Sequence, residues 1–114
     1  MGYDTATKTD VDSVAPEEWG GLWFLKGALG ADRLGLSVLE LEPGRKGKEH
    51  DETKTGQEEI YYVVEGAVEV DLTDRSETIA LEADEVIRLD PDESRQIHNR
   101  GDERAKLVLV GAPL

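Results

Sequence analysis

The stretch that decides the fold is QEEIYYVVEG, residues 57–66, where a β-prone run ends at a glycine. Isoleucine, tyrosine and valine are enriched in strands because their side chains pack well on a pleated, half-buried surface. Residues 59–65 therefore predict a strand. Glu65 and Gly66 predict a tight hairpin turn after it, since glycine tolerates a positive φ.

The strand pattern continues on both sides of this stretch. Residues 67–73 alternate apolar and acidic side chains, which is the period of a half-buried strand. No helical period persists, and short strands separated by turn residues indicate an all-β sandwich or barrel. The other predicted strands span 19–26, 34–42, 47–52, 76–81, 86–89, 94–99 and 104–110.

The length of 114 residues fits one domain. Residues 1–18 carry no sustained period and predict an N-terminal arm or edge strand, and residues 19–114 predict the barrel domain. No apolar run reaches the roughly 20 residues that span a bilayer, and residues 1–13 lack the apolar core of a signal peptide. Without cysteine, no disulfide or thiolate site is available, so we expect a cytoplasmic protein.

The charge of the chain is strongly acidic, with 26 Asp and Glu against 13 Lys and Arg and a net charge of −13. Such a surface repels phosphate backbones and anionic lipids, which excludes nucleic acid and membranes as expected partners. A solvated acidic surface of this kind suits high salt, where screening removes the self-repulsion.

One imidazole and several carboxylates lie close together near the decisive stretch. On the predicted strand 47–52, His50 and Glu52 point the same way because strand residues two apart share a face. Glu59 and Tyr61 share a face of the next strand. An imidazole and two carboxylates suit several divalent ions, although the set still needs a fourth ligand or water.

The spacing of Gly44, His50, Glu52, Glu59 and Gly66 resembles the first motif of the cupin superfamily, in which Gly-x5-His-x-His-x3–4-Glu-x6-Gly is typical. The second cupin motif is echoed more loosely between residues 83 and 99. The resemblance covers roughly residues 34–110 and is greatest to small single-domain cupins of salt-loving microbes.

The resemblance implies a double-stranded β-helix, or jelly-roll barrel, of two antiparallel sheets that forms a homodimer. It also implies a divalent metal, such as Mn, Fe, Zn or Ni, bound by three histidines and one glutamate. This chain departs from that set. Glu52 stands at the second histidine position, and the third is Arg95 or Gln96, depending on whether Asn99 or Pro91 sets the alignment.

Two hypotheses for the site remain open. Arg95 cannot ligate a metal because its guanidinium stays protonated, so it could replace the metal by forming a salt bridge with Glu52 and Glu59. Alternatively, His50, Glu52 and Glu59 hold the metal as an incomplete set. His98 lies on the opposite face from Arg95 unless a bulge reverses the register.

The expected function is the binding of a small, anionic or sugar-like molecule in the barrel lumen. Its predicted contacts are His50, Glu52, Glu59, Tyr61 and Arg95. An alternative is a metal-dependent enzyme of dioxygenase or isomerase type, and a third is a sensor module without catalysis. The aromatic segment 19–26 is the predicted dimer interface, since an apolar strand on so acidic a protein needs cover.

Overall fold

The computed structural model describes residues 2–114, so Met1 of the predicted arm lies outside the described residues. The described chain forms eight strands and very little helix. The strands are β1 (Gly20–Phe24), β2 (Gly35–Leu41), β3 (Glu58–Glu65), β4 (Ala67–Leu72), β5 (Glu77–Glu82), β6 (Val86–Leu89), β7 (Arg95–His98) and β8 (Ala105–Ala112). One short α-helix, α1 (Lys26–Leu29), and two 3-10 turns, Lys8–Asp10 and Glu17–Trp19, complete the secondary structure.

The strands form two antiparallel sheets. The larger sheet has the order β1-β2-β8-β3-β6 and the smaller has the order β5-β4-β7. Every paired neighbour runs antiparallel. The predicted all-β barrel of two antiparallel sheets is confirmed.

The core lies between the two sheets because each strand turns alternate side chains inward. The larger sheet contributes Leu39, Val63 and Leu107, and the smaller contributes Val68 and Val70. Val63, Val70 and Leu107 have no exposed surface. Burial of these aliphatic side chains is the main favourable contribution to folding.

The hairpin between β3 and β4 forms at the predicted turn. Gly66 has a φ of 76°, which L side chains rarely adopt. A Cβ atom at this position would lie 2.7 Å from the carbonyl oxygen of Arg104. Both the backbone conformation and the neighbouring chain therefore require glycine here.

The strand predicted over residues 47–52 is wrong. Strand pairing with β7 is limited to two isolated bridges, Lys46 with His98 just before the segment and His50 with Arg95 within it; the Gln96 side chain also donates to the Gly47 carbonyl. Its one glycine and five polar or charged residues include none of the β-branched types that favour a continuous ladder. The segment instead runs as an extended loop, and the His50–Arg95 bridge fixes where its polar side chains lie.

The residues before β1 pack against the larger sheet. The ammonium group of Lys8 lies 4.3 Å from the centre of the Trp23 ring and bonds to Glu40. The Val14 amide donates to the carbonyl of Leu22. Trp23 is thus partly covered within the chain. Among residues 2–114, no helix has the length and hydropathy needed to cross a bilayer.

Candidate functional site

A cavity of about 620 Å³ opens beside the inward face of the larger sheet. Its walls are largely aliphatic and aromatic, and its polar side comes from the loop before β3 and from β3 itself. The apolar lining includes Leu22, Phe24, Leu36, Leu109, Val110 and Leu114; the polar lining includes Lys26, Lys48, His50, Asp51, Glu52, Gln57 and Glu59. The volume is that of an ordinary small-molecule site.

The cavity stays open in front of Glu59 because two glycines stand beside it in the sheet. Gly111 pairs with Glu59 on one side and with Gly35 on the other. A side chain at Gly111 would meet Gln57 Oε1 at 2.6 Å and Glu59 Oε2 at 3.5 Å. Glycine at this position therefore keeps the space beside the carboxylate free.

His50 is oriented by the backbone of its own loop. Its Nδ1 lies 3.1 Å from the carbonyl oxygen of Lys48. A carbonyl only accepts, so Nδ1 carries the proton and Nε2 faces the carboxylates. Nε2 lies 3.5 Å from Glu52 Oε2 and 3.4 Å from Glu59 Oε1. The Glu59 carboxylate raises the pKa of His50, and this effect exceeds the lowering by burial.

Glu59 is held by two donors on its inner side. Its Oε1 accepts a hydrogen bond of 2.8 Å from the Tyr61 hydroxyl and one of 2.9 Å from Arg95 Nη2. Burial raises the pKa of Glu59, but interactions with His50, Tyr61 and Arg95 outweigh it and leave the pKa below its usual value. Glu59 is therefore a carboxylate in the folded protein.

Arg95 lies behind Glu59, with its side chain fully buried. Nε donates to the Tyr61 hydroxyl at 3.3 Å and Nη1 donates to the Glu93 carbonyl at 2.6 Å. In the register of β7, Arg95 and Ile97 face inward while Gln96 faces outward and bonds to the Gly47 carbonyl. Arg95, not Gln96, is thus the residue whose side chain is buried on the inner face of β7.

Glu52 is placed by the loop rather than by a strand. Its amide donates to the Pro91 carbonyl at 2.8 Å, and its Oε1 accepts from the Thr55 hydroxyl at 2.9 Å. The other oxygen, Oε2, faces His50. No ion pair between Glu52 and Arg95 is found in residues 2–114, so the predicted salt bridge of Arg95 forms with Glu59 alone.

The three polar side chains fit a divalent ion. One ligand atom from each of His50, Glu52 and Glu59 lies within 4.8 Å of the other two. The separations of 3.4 and 3.5 Å from the imidazole exceed an ordinary hydrogen bond. These two separations are close to the roughly 3.4 Å edge of a tetrahedron whose corners are about 2.1 Å from a central ion, and the carboxylate oxygens of the group lie within 4.8 Å of each other. Arg95 supplies no fourth ligand, which leaves room for water or a ligand oxygen.

Four of the five predicted ligand contacts line the cavity, namely His50, Glu52, Glu59 and Tyr61. Arg95 does not line it and acts on it through Glu59. Sequence reasoning did not find the apolar wall. The alternation of β1 already placed Leu22 and Phe24 on one face, but which face closed a cavity depended on the packing of the two sheets.

His98, the second histidine, lies on the outer face of β7. Its Nε2 is 3.1 Å from Asp71 Oδ2, and Arg100 bonds the same carboxylate. Burial lowers the pKa of His98. This histidine therefore belongs to a surface ion-pair network, separate from the cavity.

The comparisons with known proteins agree with this architecture. The profile described as Cupin domain matches residues 37–111. The chain is 38% identical over 81 residues to the polyketide synthase CurC of Streptomyces cyaneus, covering 71% of this chain and 49% of that protein. It thus spans about half the length of this curated relative.

Solved structures show the same fold. A cupin protein of Bacteroides fragilis superposes with a TM-score of 0.79 at 20% identity, covering 99% of this chain and 86% of that one. The polyketide cyclase RemF of Streptomyces resistomycificus superposes with a TM-score of 0.77 at 23% identity, covering 96% of this chain and 78% of that one. At these identities the likeness concerns the fold alone.

Proposed function

The chain belongs to the cupin family, and we propose that it binds a small organic molecule in the lumen together with a divalent metal held by His50, Glu52 and Glu59. One observation carries this proposal. The imidazole Nε2 lies 3.4 and 3.5 Å from the two carboxylates, at the polar side of a cavity of about 620 Å³. That spacing suits coordination better than hydrogen bonding.

The chain's own groups orient the three ligands. The Lys48 carbonyl fixes the ring of His50, Thr55 fixes Glu52, and Tyr61 with Arg95 fixes Glu59. Such supporting hydrogen bonds hold metal ligands in place. A bound divalent ion would polarise an oxygen of the small molecule.

The walls of the cavity favour a molecule with an apolar body. Leu22, Phe24 and Leu109 present carbon surface to the cavity, whereas a sugar would need polar partners around its whole ring. The anionic or sugar-like character expected from the sequence is therefore confined, in this proposal, to the end that meets His50 and the carboxylates.

A catalytic role is the second candidate. The identity of 38% to a polyketide synthase supports a reaction on a polyketide-like substrate, which has an apolar body and several oxygens. The cavity would orient such a substrate along its apolar wall and exclude water from it. This enzyme would use the same three metal ligands that the binding proposal uses.

The metal proposal is tested with the two histidines of the chain. Thermal unfolding is measured with and without added Mn²⁺ for the wild type, His50→Ala and His98→Ala. We expect Mn²⁺ to raise the Tm of the wild type and of His98→Ala, because ligands that bind only the folded state stabilise it. His50→Ala should show no shift. Equal shifts in all three proteins would refute the proposed site.

The ligand proposal is tested with 2-naphthol, a neutral probe with an aromatic body and one hydroxyl. Leu109→Trp should fill the cavity and abolish binding, whereas Glu77→Trp, at an exposed position of β5 in the smaller sheet, should retain it. Binding is followed by the fluorescence of the probe. Binding that survives in Leu109→Trp, or tighter binding of glucose than of 2-naphthol, would contradict the proposed ligand class.

We also propose a homodimer formed through the outer face of the larger sheet. Ile60, Tyr62 and Val86 are 41%, 40% and 53% exposed on neighbouring strands of this face. The predicted interface strand β1 lies at the edge of the same sheet. Light scattering of the wild type should give twice the chain mass, and Val86→Glu should give the monomer. A monomeric wild type would overturn this assignment.

A further inference from the structure

Among residues 2–114, Arg95 is the only cationic side chain that contacts the metal-ligand group from within the core. We propose that Arg95 limits the affinity of the His50–Glu52–Glu59 group for divalent ions by competing with the ion for Glu59. The inference rests on the proposed metal site, and it makes Arg95 a positioning residue that tunes the site without touching the ligand.

The first argument is that the guanidinium and the ion would share one atom. Glu59 Oε1 is the oxygen that lies 3.4 Å from His50 Nε2. The same Oε1 already accepts hydrogen bonds from Arg95 at 2.9 Å and from Tyr61 at 2.8 Å. An ion that takes this oxygen must share its electron density with two donors.

The second argument is charge. The two carboxylates carry two negative charges, and Arg95 balances one of them. A guanidinium does not lose its proton in proteins, so this positive charge persists at every working pH. Like charges repel strongly where water is excluded, and the Arg95 side chain has no exposed surface. A divalent ion beside Glu59 therefore meets a fixed repulsion.

The third argument is that Arg95 cannot move away. Its Nη1 is tied to the Glu93 carbonyl at 2.6 Å and its Nε to the Tyr61 hydroxyl. The backbone of Arg95 is fixed as well, because its N–H and C=O both bond to His50, at 2.9 and 3.0 Å. The cations at the rim of the cavity, Lys26 and Lys48, are in contact with solvent, which screens their charge.

The experiment separates the effect of the Arg95 charge on Mn²⁺ affinity from the effect of its hydrogen bonds. Arg95→Gln removes the charge and keeps an N–H donor, while Arg95→Lys keeps the charge. Affinity for Mn²⁺ is measured from the electron paramagnetic resonance signal of the free ion. We expect Arg95→Gln to bind Mn²⁺ at least tenfold more tightly than the wild type, and Arg95→Lys to stay within threefold of the wild type.

Two further variants keep the result decisive. Arg95→Met fills the buried space with an unbranched apolar chain and is measured if Arg95→Gln does not fold. It is expected to bind Mn²⁺ more tightly than the wild type by the same factor. Tyr61→Phe removes the other donor to Glu59 Oε1 without changing the charge. Its affinity for Mn²⁺ should therefore rise less than the affinity of Arg95→Gln. Circular dichroism establishes that each variant is folded.

The outcomes distinguish this inference from the proposed function. If the wild type and Arg95→Gln both bind Mn²⁺ with equal affinity, or the variant binds more weakly, the metal site stands and the role of Arg95 is refuted. If neither protein binds Mn²⁺ above the level of His50→Ala, both the metal site and the role of Arg95 are refuted.

Discussion

Arg95 Nη2 lies 2.9 Å from Glu59 Oε1, and the Arg95 side chain is completely shielded from solvent. Arg95 belongs to β7 of the smaller sheet and Glu59 to β3 of the larger one. The ion pair therefore joins the two sheets as well as supporting the cavity. A change at either residue should affect both the stability of the barrel and the polar side of the cavity.

Glu59→Gln should destabilise the barrel by about 2–3 kcal/mol, because it leaves the buried Arg95 charge without a counter-charge. The neighbouring Glu58→Gln is the matched control. Glu58 pairs with Arg88 on the surface, where both side chains are 56% exposed, so its loss should cost less than about 1 kcal/mol. Urea denaturation measures both variants. Equal losses would show that the buried pair contributes no more than the surface pair.

The ion pairs of Asp71 on the outer face predict part of the loss of folding stability at low pH. Hydrogen bonding to Arg100, followed by that to Thr78, lowers the pKa of Asp71 to about 2. An unfolded aspartate has a pKa of about 3.9, so the stabilisation is present above that pH and is lost as pH falls toward the folded value.

Asp71→Asn should therefore lose less stability than the wild type between pH 4 and 2.5, measured by urea denaturation. The difference should be small, below about 1 kcal/mol, because the network is on the surface. Asp74→Asn, in the exposed turn after β4, changes the net charge equally and is the control. Identical acid profiles for Asp71→Asn and the wild type would contradict the assigned pKa.

The turn between β3 and β4 is expected to require glycine at position 66. Gly66→Ala should destabilise the barrel by about 1–3 kcal/mol, since it places a Cβ at a positive φ and against the Arg104 carbonyl. Gly27→Ala, in α1 with nothing within 4 Å of the added Cβ, should be neutral or slightly stabilising. Thermal unfolding compares the two. A neutral Gly66→Ala would mean that the turn can rearrange.

The net charge of −13 predicts a dependence on salt. Raising KCl from about 0.1 M to about 1 M shortens the screening length from about 10 Å to about 3 Å and should raise the Tm by weakening repulsion among surface carboxylates. NaCl at the same ionic strength should act equally. A Tm that is flat or falls over this range would contradict the expectation from the sequence that the acidic surface suits high salt.

The sequence predicted the strands and the hairpin because their signals are local. Alternation in residues 67–73 and the glycine after residue 65 need no knowledge of distant contacts. Alternation along β7 also predicts that Arg95 and His98 lie on opposite faces, but it leaves open whether Arg95 or Gln96 faces inward, which the burial of Arg95 decides. These features depend only on the two-residue period of a strand.

Other features depend on contacts that no local pattern contains. The sequence predicts a strand around His50, on which His50 and Glu52 would share a face. The backbone of this loop, however, pairs with β7 at only two isolated bridges. The sequence predicts a salt bridge of Arg95 with both Glu52 and Glu59, whereas within residues 2–114 Arg95 pairs with Glu59 alone, because pairing depends on how deep each side chain lies. Phe24 looked like interface material, whereas it lines the cavity.

The two halves of the cavity come from different parts of the chain. Its apolar wall is made mostly by strands β1, β2 and β8, while most of its polar groups come from β3 and the loop before it. Substitutions at Leu22, Phe24 or Leu109 would change the shape of the wall at positions that take no part in the hydrogen bonds of His50 and Glu59. Under the proposed function, the choice of the bound molecule and the chemistry at the polar end can therefore evolve separately.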